Sequence, residues 1–179
     1  MKKNHKLILT VACLTSFSCE NDELSALSSP AGTISTDQQL FALVTQEQPF
    51  GSYRLFPNAD SVATGTLNGS TAHRPMVRVS LNETAAGALR AGHLPEGSSF
   101  PDGSVVFKEV RQEGQPILFA IVYKDRSNPL SNEGWLWAEL RTDGTAAFSM
   151  QNRGNGCVSC HAREQGPQHD YIRTFERQR

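Results

Sequence analysis

The chain has 179 residues and a formal net charge of −1 at neutral pH. That length supports one domain with a real core, and the lack of any basic patch or stripe argues against nucleic acid as a partner. Four cysteines are present; Cys13 and Cys19 fall near the start and Cys157 and Cys160 near the end, so no pair is left over for a structural disulfide.

Lys2, Lys3 and Lys6 precede an apolar run, Leu7 to Leu14, that is too short to span a bilayer. Ser16 and Ser18 directly before Cys19 resemble a bacterial lipobox. Residues 1–18 are therefore expected to be a lipoprotein-type signal peptide, cleaved before Cys19. Lipidation of that thiol would tether the protein to a membrane surface without a transmembrane helix. The expected location is the periplasmic face or the outer membrane surface; ordinary signal cleavage would leave the protein in the periplasm. Removing residues 1–18, which hold three lysines and no acid, takes the net charge from −1 to −4. Residues 19–35 are rich in Ser, Ala and acids without periodicity, and read as a flexible tether to a domain spanning 36–179.

Thr36 is a suitable N-cap for a helix that carries Leu40, Phe41 and Val44 on one face and stops before Pro49 and Gly51. Residues 57–71, rich in Gly, Asn, Ser and Thr, read as a long loop. The ordered core is expected to begin at Pro75. Val77, Val79 and Leu81 alternate with Arg78 and Ser80 as in a half-buried strand, and Asn82 caps a helix over 83–91. Pro101-Asp102-Gly103 is a turn leading to a strand over 104–111, in which Lys108 shares a face with Val106 and Val110. A turn at 113–115 precedes a nearly continuous apolar strand over 117–123. A strand over 134–142, with Trp135 and Trp137 on one face, turns at 142–144 into 146–150. The sum is an α+β domain: a small antiparallel β-sheet with a few short helices, and no internal repeat.

Near the C-terminus stands Cys157-Val158-Ser159-Cys160-His161, the Cys-x-x-Cys-His pattern of c-type haem attachment. The thiols add across the haem vinyl groups, and the next residue is placed to bind iron through an imidazole nitrogen. Zinc would need two more ligands at suitable spacing, and a thioredoxin-like pair belongs early in a chain at a strand-to-helix turn. One covalent haem c with His161 as proximal ligand is the expected cofactor. Met76 and Met150 both precede the motif, whereas class I cytochromes c take a methionine from downstream. Cytochromes c-prime are four-helix bundles, and four long amphipathic helices are missing here.

The run 75–82 (PMVRVSLN), Phe100-Pro-Asp-Gly103, Val106-Phe-Lys-Glu-Val110, Gly134-Trp-Leu-Trp137, the haem motif and His169-Asp170-Tyr171 stand in an order that resembles the cytochrome P-460 family, which includes the cytochromes c-prime-beta. The resemblance covers roughly residues 36–175. It implies a small antiparallel-sheet fold, commonly dimeric, and a five-coordinate haem that oxidises hydroxylamine or binds NO, with a redox partner protein to take electrons. Cys157 and Cys160 match the thioether cysteines, His161 the proximal ligand, and Lys108 the lysine cross-linked to the haem edge. Without the resemblance, Lys108 reads as a lysine that snorkels to solvent. Family members that oxidise hydroxylamine place an acid on the distal side. Here the corresponding strand, 118–122 (LFAIV), holds no titratable group, which favours binding of a neutral diatomic gas. The competing reading is a membrane-tethered electron carrier with a six-coordinate haem and no turnover.

Other candidates carry milder expectations. Arg78, Arg153 and Arg163 are candidate contacts for a haem propionate, and Glu109 or Asp170 candidate partners for the N–H of the proximal histidine. His73 and His93 read as solvated loop histidines, His169 as a ligand only if the tail folds back, Met76 as core, and the two tryptophans as core or dimer surface.

Overall fold

A computed structural model describes residues 33–57, 61–67, 69–164 and 169–177. The expected signal peptide, Cys19 and the tether up to residue 32 lie outside the described residues. The tether's last three positions do not read as a linker: Ile34 is buried in the core, and the Ser35 N–H donates to Gln39 Oε1. Thr36 caps the first helix, α1 (Asp37–Ala42), in a reciprocal capping box with Gln39. A π-helical turn, Leu43–Glu47, extends it and completes the apolar face of Leu40, Leu43 and Val44.

The strands are β1 (Arg54–Leu55), β2 (Ala63–Thr64), β3 (Met76–Leu81), β4 (Val105–Gln112), β5 (Gln115–Lys124), β6 (Trp135–Leu140) and β7 (Ala146–Phe148). They form one antiparallel sheet in the order β1-β3-β4-β5-β6-β7, with β2 also paired to β3 beyond β1. The long loop expected over 57–71 thus contributes a short edge strand. Helix α2 (Glu83–Gly87), capped by the Asn82 side chain, is shorter than the sequence pattern predicts. Gly87 disfavours continuation, and Ala91 and Gly92 take positive φ in a turn that pairs Arg90 with His93.

Strand alternation divides the core between the two faces of the sheet. Val105, Phe107, Phe119, Ile121, Leu136 and Leu140 face α1. On the other face Val79, Leu81, Val106, Trp135 and Trp137 meet Phe56, Phe100, Ile172 and Phe175. The last two belong to the C-terminal stretch that follows α3 (Cys157–His161). Met150 is buried in the α1-side core, and Met76, expected in the core, is 38 % exposed. No helix among the described residues is long and apolar enough to cross a membrane.

Candidate functional site

The haem motif forms one short helix, α3, so its two cysteines lie nearly one turn apart on neighbouring surface of that helix. The approach to it is shaped by Gly154 and Gly156, both at positive φ. A Cβ at Gly154 would stand 2.4 Å from Cδ1 of Trp137, so only glycine lets the chain pass over that indole. Trp137 in turn sits edge-on to the His161 ring, with centroids 4.9 Å apart. Its Nε1–H donates to the Asn132 carbonyl. The motif is therefore seated on the sheet through β6.

His161 Nδ1 lies 2.7 Å from the Tyr171 carbonyl oxygen. A carbonyl only accepts, so Nδ1 carries the hydrogen and Nε2 keeps its lone pair. Burial, with the Lys108 charge nearby, pushes the imidazole pKa down to about 3, so the ring is neutral and ligand-competent at neutral pH. Burial pushes the Cys157 thiol up to about 11. The two cysteines are not joined by a disulfide.

The sheet face beneath the motif forms a solvent-open cavity, whose empty space, the part at its mouth included, is about 450 Å³. It adjoins a second of about 500 Å³, and His73, Lys108, His161, Arg173 and Thr174 line both. Two rungs of the sheet make the floor. In one, Val106, Val122 and Trp137 stand side by side; in the next, Lys108, Ala120 and Glu139 do. Adjacent strands lie about 4.8 Å apart, so Lys108 and Glu139 are separated by two strand spacings, and Ala120 leaves the space between them empty. His73 fills it. Its Nε2 lies 3.1 Å from Glu139 Oε1 and its Nδ1 3.0 Å from Lys108 Nζ. A carboxylate accepts and an amine donates, so this ring carries its hydrogen on Nε2.

The trio is polar on a floor that Val106, Ala120, Val122 and Trp137 otherwise make apolar. The Lys108 charge, then burial, lower the His73 pKa. Burial, then the Arg177 charge, push Lys108 down to about 8, which leaves part of its amine neutral near neutral pH. The chain at Gly65 packs directly against the His73 backbone, an approach only glycine permits, because a Cβ there would lie 1.7 Å from the His73 carbonyl oxygen.

The sequence model of cytochrome P460 matches residues 58–174, which take in the sheet, the cavity and the motif. The chain belongs to the cytochrome P460 family. No curated protein sequence matches it. Membership makes this cytochrome P460 protein a c-type haem protein, and the residues fit that cofactor. Two thiols on one helical turn, an adjacent imidazole with its Nε2 lone pair available, and an apolar cavity beside them are the donors and walls that a covalently held haem needs.

Of the site residues expected in this cytochrome P460 protein, Cys157, His161 and Lys108 line the first cavity and Cys160 the second. Arg78 does not join them. It alternates onto the opposite face of β3, where it pairs with buried Glu109, and Glu109 is also held by Arg111. Strand parity thus turns Arg78, the expected propionate contact, away from the cavity, and Glu109, the expected partner of the His161 N–H, away from that ring. Arg153 and Arg163 are exposed; the cavity arginines are instead Arg173, whose Nη1 lies 3.3 Å from Cys160 Sγ, and Arg177. Asp170 binds Lys124 rather than His161. His169 packs on Phe175 beside Glu164, and His93 is exposed. Both tryptophans are core. His73, expected to be solvated, is half-buried and fully engaged in the trio, and Glu139 was missed. The signal for it was present: Glu139 follows Trp135 and Trp137 at the same two-residue spacing, so strand alternation assigns all three to one face.

Proposed function

We propose that this protein carries one haem c, bound through thioethers at Cys157 and Cys160 with His161 as its single protein ligand to iron, and that it oxidises hydroxylamine at the iron's open face. NO is a ligand of that same face. The observation that carries this reading is the Glu139–His73–Lys108 trio in the cavity shared with His161. The strand 118–122 offers no proton acceptor, but its neighbour β6 does. An electron carrier gains nothing from such a group, whereas a partly exposed carboxylate turned into the cavity and held by His73 is placed to exchange protons there.

When bound, the haem supplies the iron that draws electrons from a coordinated nitrogen ligand. The chain's residues handle the protons, which must leave with those electrons. The Glu139 carboxylate accepts a proton from the N–H or O–H of the substrate. His73 keeps that carboxylate oriented by donating from Nε2, while Lys108 fixes the ring through Nδ1. Val106, Ala120 and Val122 keep water off the floor, which strengthens each of these interactions. Both ring nitrogens of His73 are engaged, Met150 lies on the other side of the sheet and Met76 is exposed, which supports an open sixth position.

Arg177 supplies positive charge for the propionates, together with Arg173, whose guanidinium is already paired with buried Glu176. Lys108, whose amine lines the cavity with a lowered pKa, would form a second covalent tether at the haem edge by exchanging one amine N–H and one porphyrin C–H for a C–N bond, with the two electrons and two protons taken up by a peroxide. Electrons pass to a redox partner protein, and a lipid on Cys19 holds the domain at the periplasmic face or outer membrane surface. The deciding experiment is an anaerobic titration of the matured protein with hydroxylamine and a one-electron acceptor. Reduction of the acceptor in proportion to hydroxylamine is the expected result; an acceptor left oxidised overturns the enzymatic reading.

A further inference from the structure

We propose that Lys124 and Asp170 are positioning residues for His161, acting through the backbone of Tyr171. The inference rests on the reading of His161 as the proximal ligand, and it concerns what fixes that ring.

Lys124 ends β5 and is 2 % exposed, one of the most deeply buried charges among the described residues. Its Nζ donates to Asp170 Oδ1 at 2.8 Å and to the Glu133 carbonyl at 3.3 Å, and it lies 4.5 Å from the centroid of the Trp135 ring. The other oxygen of Asp170 accepts from the Phe100 N–H at 2.9 Å. The Asp170 carbonyl accepts from Trp135 Nε1–H at 3.0 Å. One residue is thereby gripped at its side chain and at its backbone by three separate parts of the fold. The next carbonyl, that of Tyr171, is the one that receives His161 Nδ1–H.

The backbone at this point explains why such a grip is needed. Asp170 and Tyr171 take φ of +46° and +66°, two successive non-glycine residues in the left-handed region. That conformation persists only where the surroundings over-determine it. It is also what turns the Tyr171 carbonyl back onto the histidine. A buried ion pair is a poor source of net stability, so its placement here points to orientation. An imidazole N–H held by a carbonyl makes the opposite nitrogen a stronger donor to iron and fixes the plane of the ring.

The test uses the haem-loaded protein in the variants Asp170→Ala, Asp170→Asn and Lys124→Met. Two quantities are read: the iron–imidazole stretching frequency by resonance Raman of the ferrous form, and the reduction potential by spectroelectrochemistry. Asp170→Ala and Lys124→Met are expected to lower the stretch and raise the potential. Asp170→Asn, whose amide oxygen still accepts from Phe100, is expected to fall between them and the unaltered protein, and it decides the matter if the other two fail to fold. Val44→Ala, in the core on the opposite face, is expected to lower the thermal midpoint and leave both readouts in place. If Asp170→Ala, Asp170→Asn and Lys124→Met behave like Val44→Ala, the pair is merely structural and the inference is overturned. His161→Gly separates the two readings. A haem spectrum indifferent to it removes the ligand assignment and this inference together, while a spectrum that responds leaves the judgement to the Asp170 and Lys124 variants.

Discussion

Single atoms of hydrogen-bonding capacity decide the chemistry of this cavity. Glu139 is the only carboxylate among the described residues that line it, and His73 is tuned between Glu139 and Lys108 so that each ring nitrogen has one partner. Glu139→Gln preserves shape but removes the proton acceptor. Steady-state hydroxylamine oxidation is expected to fall by about 10²–10⁴-fold, with the absorption spectrum of the haem unchanged; turnover at the original rate would show that Glu139 takes no proton. At Lys108 the readout is mass. A haem-bearing tryptic digest is expected to carry the Lys108 peptide on the haem, and Lys108→Met is expected to leave the haem held at Cys157 and Cys160 alone. A Lys108 peptide that runs free of haem in the unaltered protein contradicts the second tether. The sequence carried half of this site openly. Cys157, Cys160, His161 and Lys108 stand in motifs that spacing or resemblance exposes, but His73 lies in a loop with no periodicity. It enters the cavity only because Gly65 and β2 fold that loop against β3, a long-range packing event that no local pattern announces.

Among the elements, α3 and β6 are made for each other. The helix is five residues long, too short to be stable by itself, and it is held by the seat that Trp137 provides between Gly154 and His161. Gly154→Ala forces a methyl group into the indole, and overpacking of this kind costs about 1–3 kcal/mol. Chemical denaturation of the haem-loaded variant is expected to show a lower midpoint with an unchanged slope, and an unchanged midpoint would mean that the turn relaxes freely. Strand patterns were legible because alternation is a property of the residues themselves: Val77, Val79 and Leu81, then Trp135 and Trp137, mark the inner face by their spacing alone. The correction at Arg78 came from the same rule. On β3 it alternates with those valines, and the cavity lies on the valine side. What alternation alone leaves open is which face meets the haem motif, because the covering elements, α1 and the C-terminal stretch, lie at opposite ends of the chain.

For the whole molecule, the sheet works as a partition. One face is sealed by α1 and the π-helical turn around Leu40 and Val44; the other carries the cavity, α3 and the C-terminal aromatics. Damage to the sealed face should therefore register as stability and hardly as chemistry. Leu40→Ala is expected to cost about 2–5 kcal/mol in denaturation experiments while the haem spectrum keeps its position; a displaced spectrum would mean that the two faces are coupled through the sheet. The cavity face carries a polar trio and a buried ion pair beside its own cluster of Phe56, Phe100, Trp135 and Phe175, while the face under α1 is apolar around Leu40, Val44 and Phe107. The claim on which the account stands is that iron held by His161 keeps an open face above the Lys108–Ala120–Glu139 rung. The most direct measurement is the absorption spectrum of the dithionite-reduced protein before and after addition of CO. The account predicts a high-spin, five-coordinate ferrous haem whose Soret band shifts at once on CO binding; a low-spin, six-coordinate spectrum indifferent to CO would contradict it.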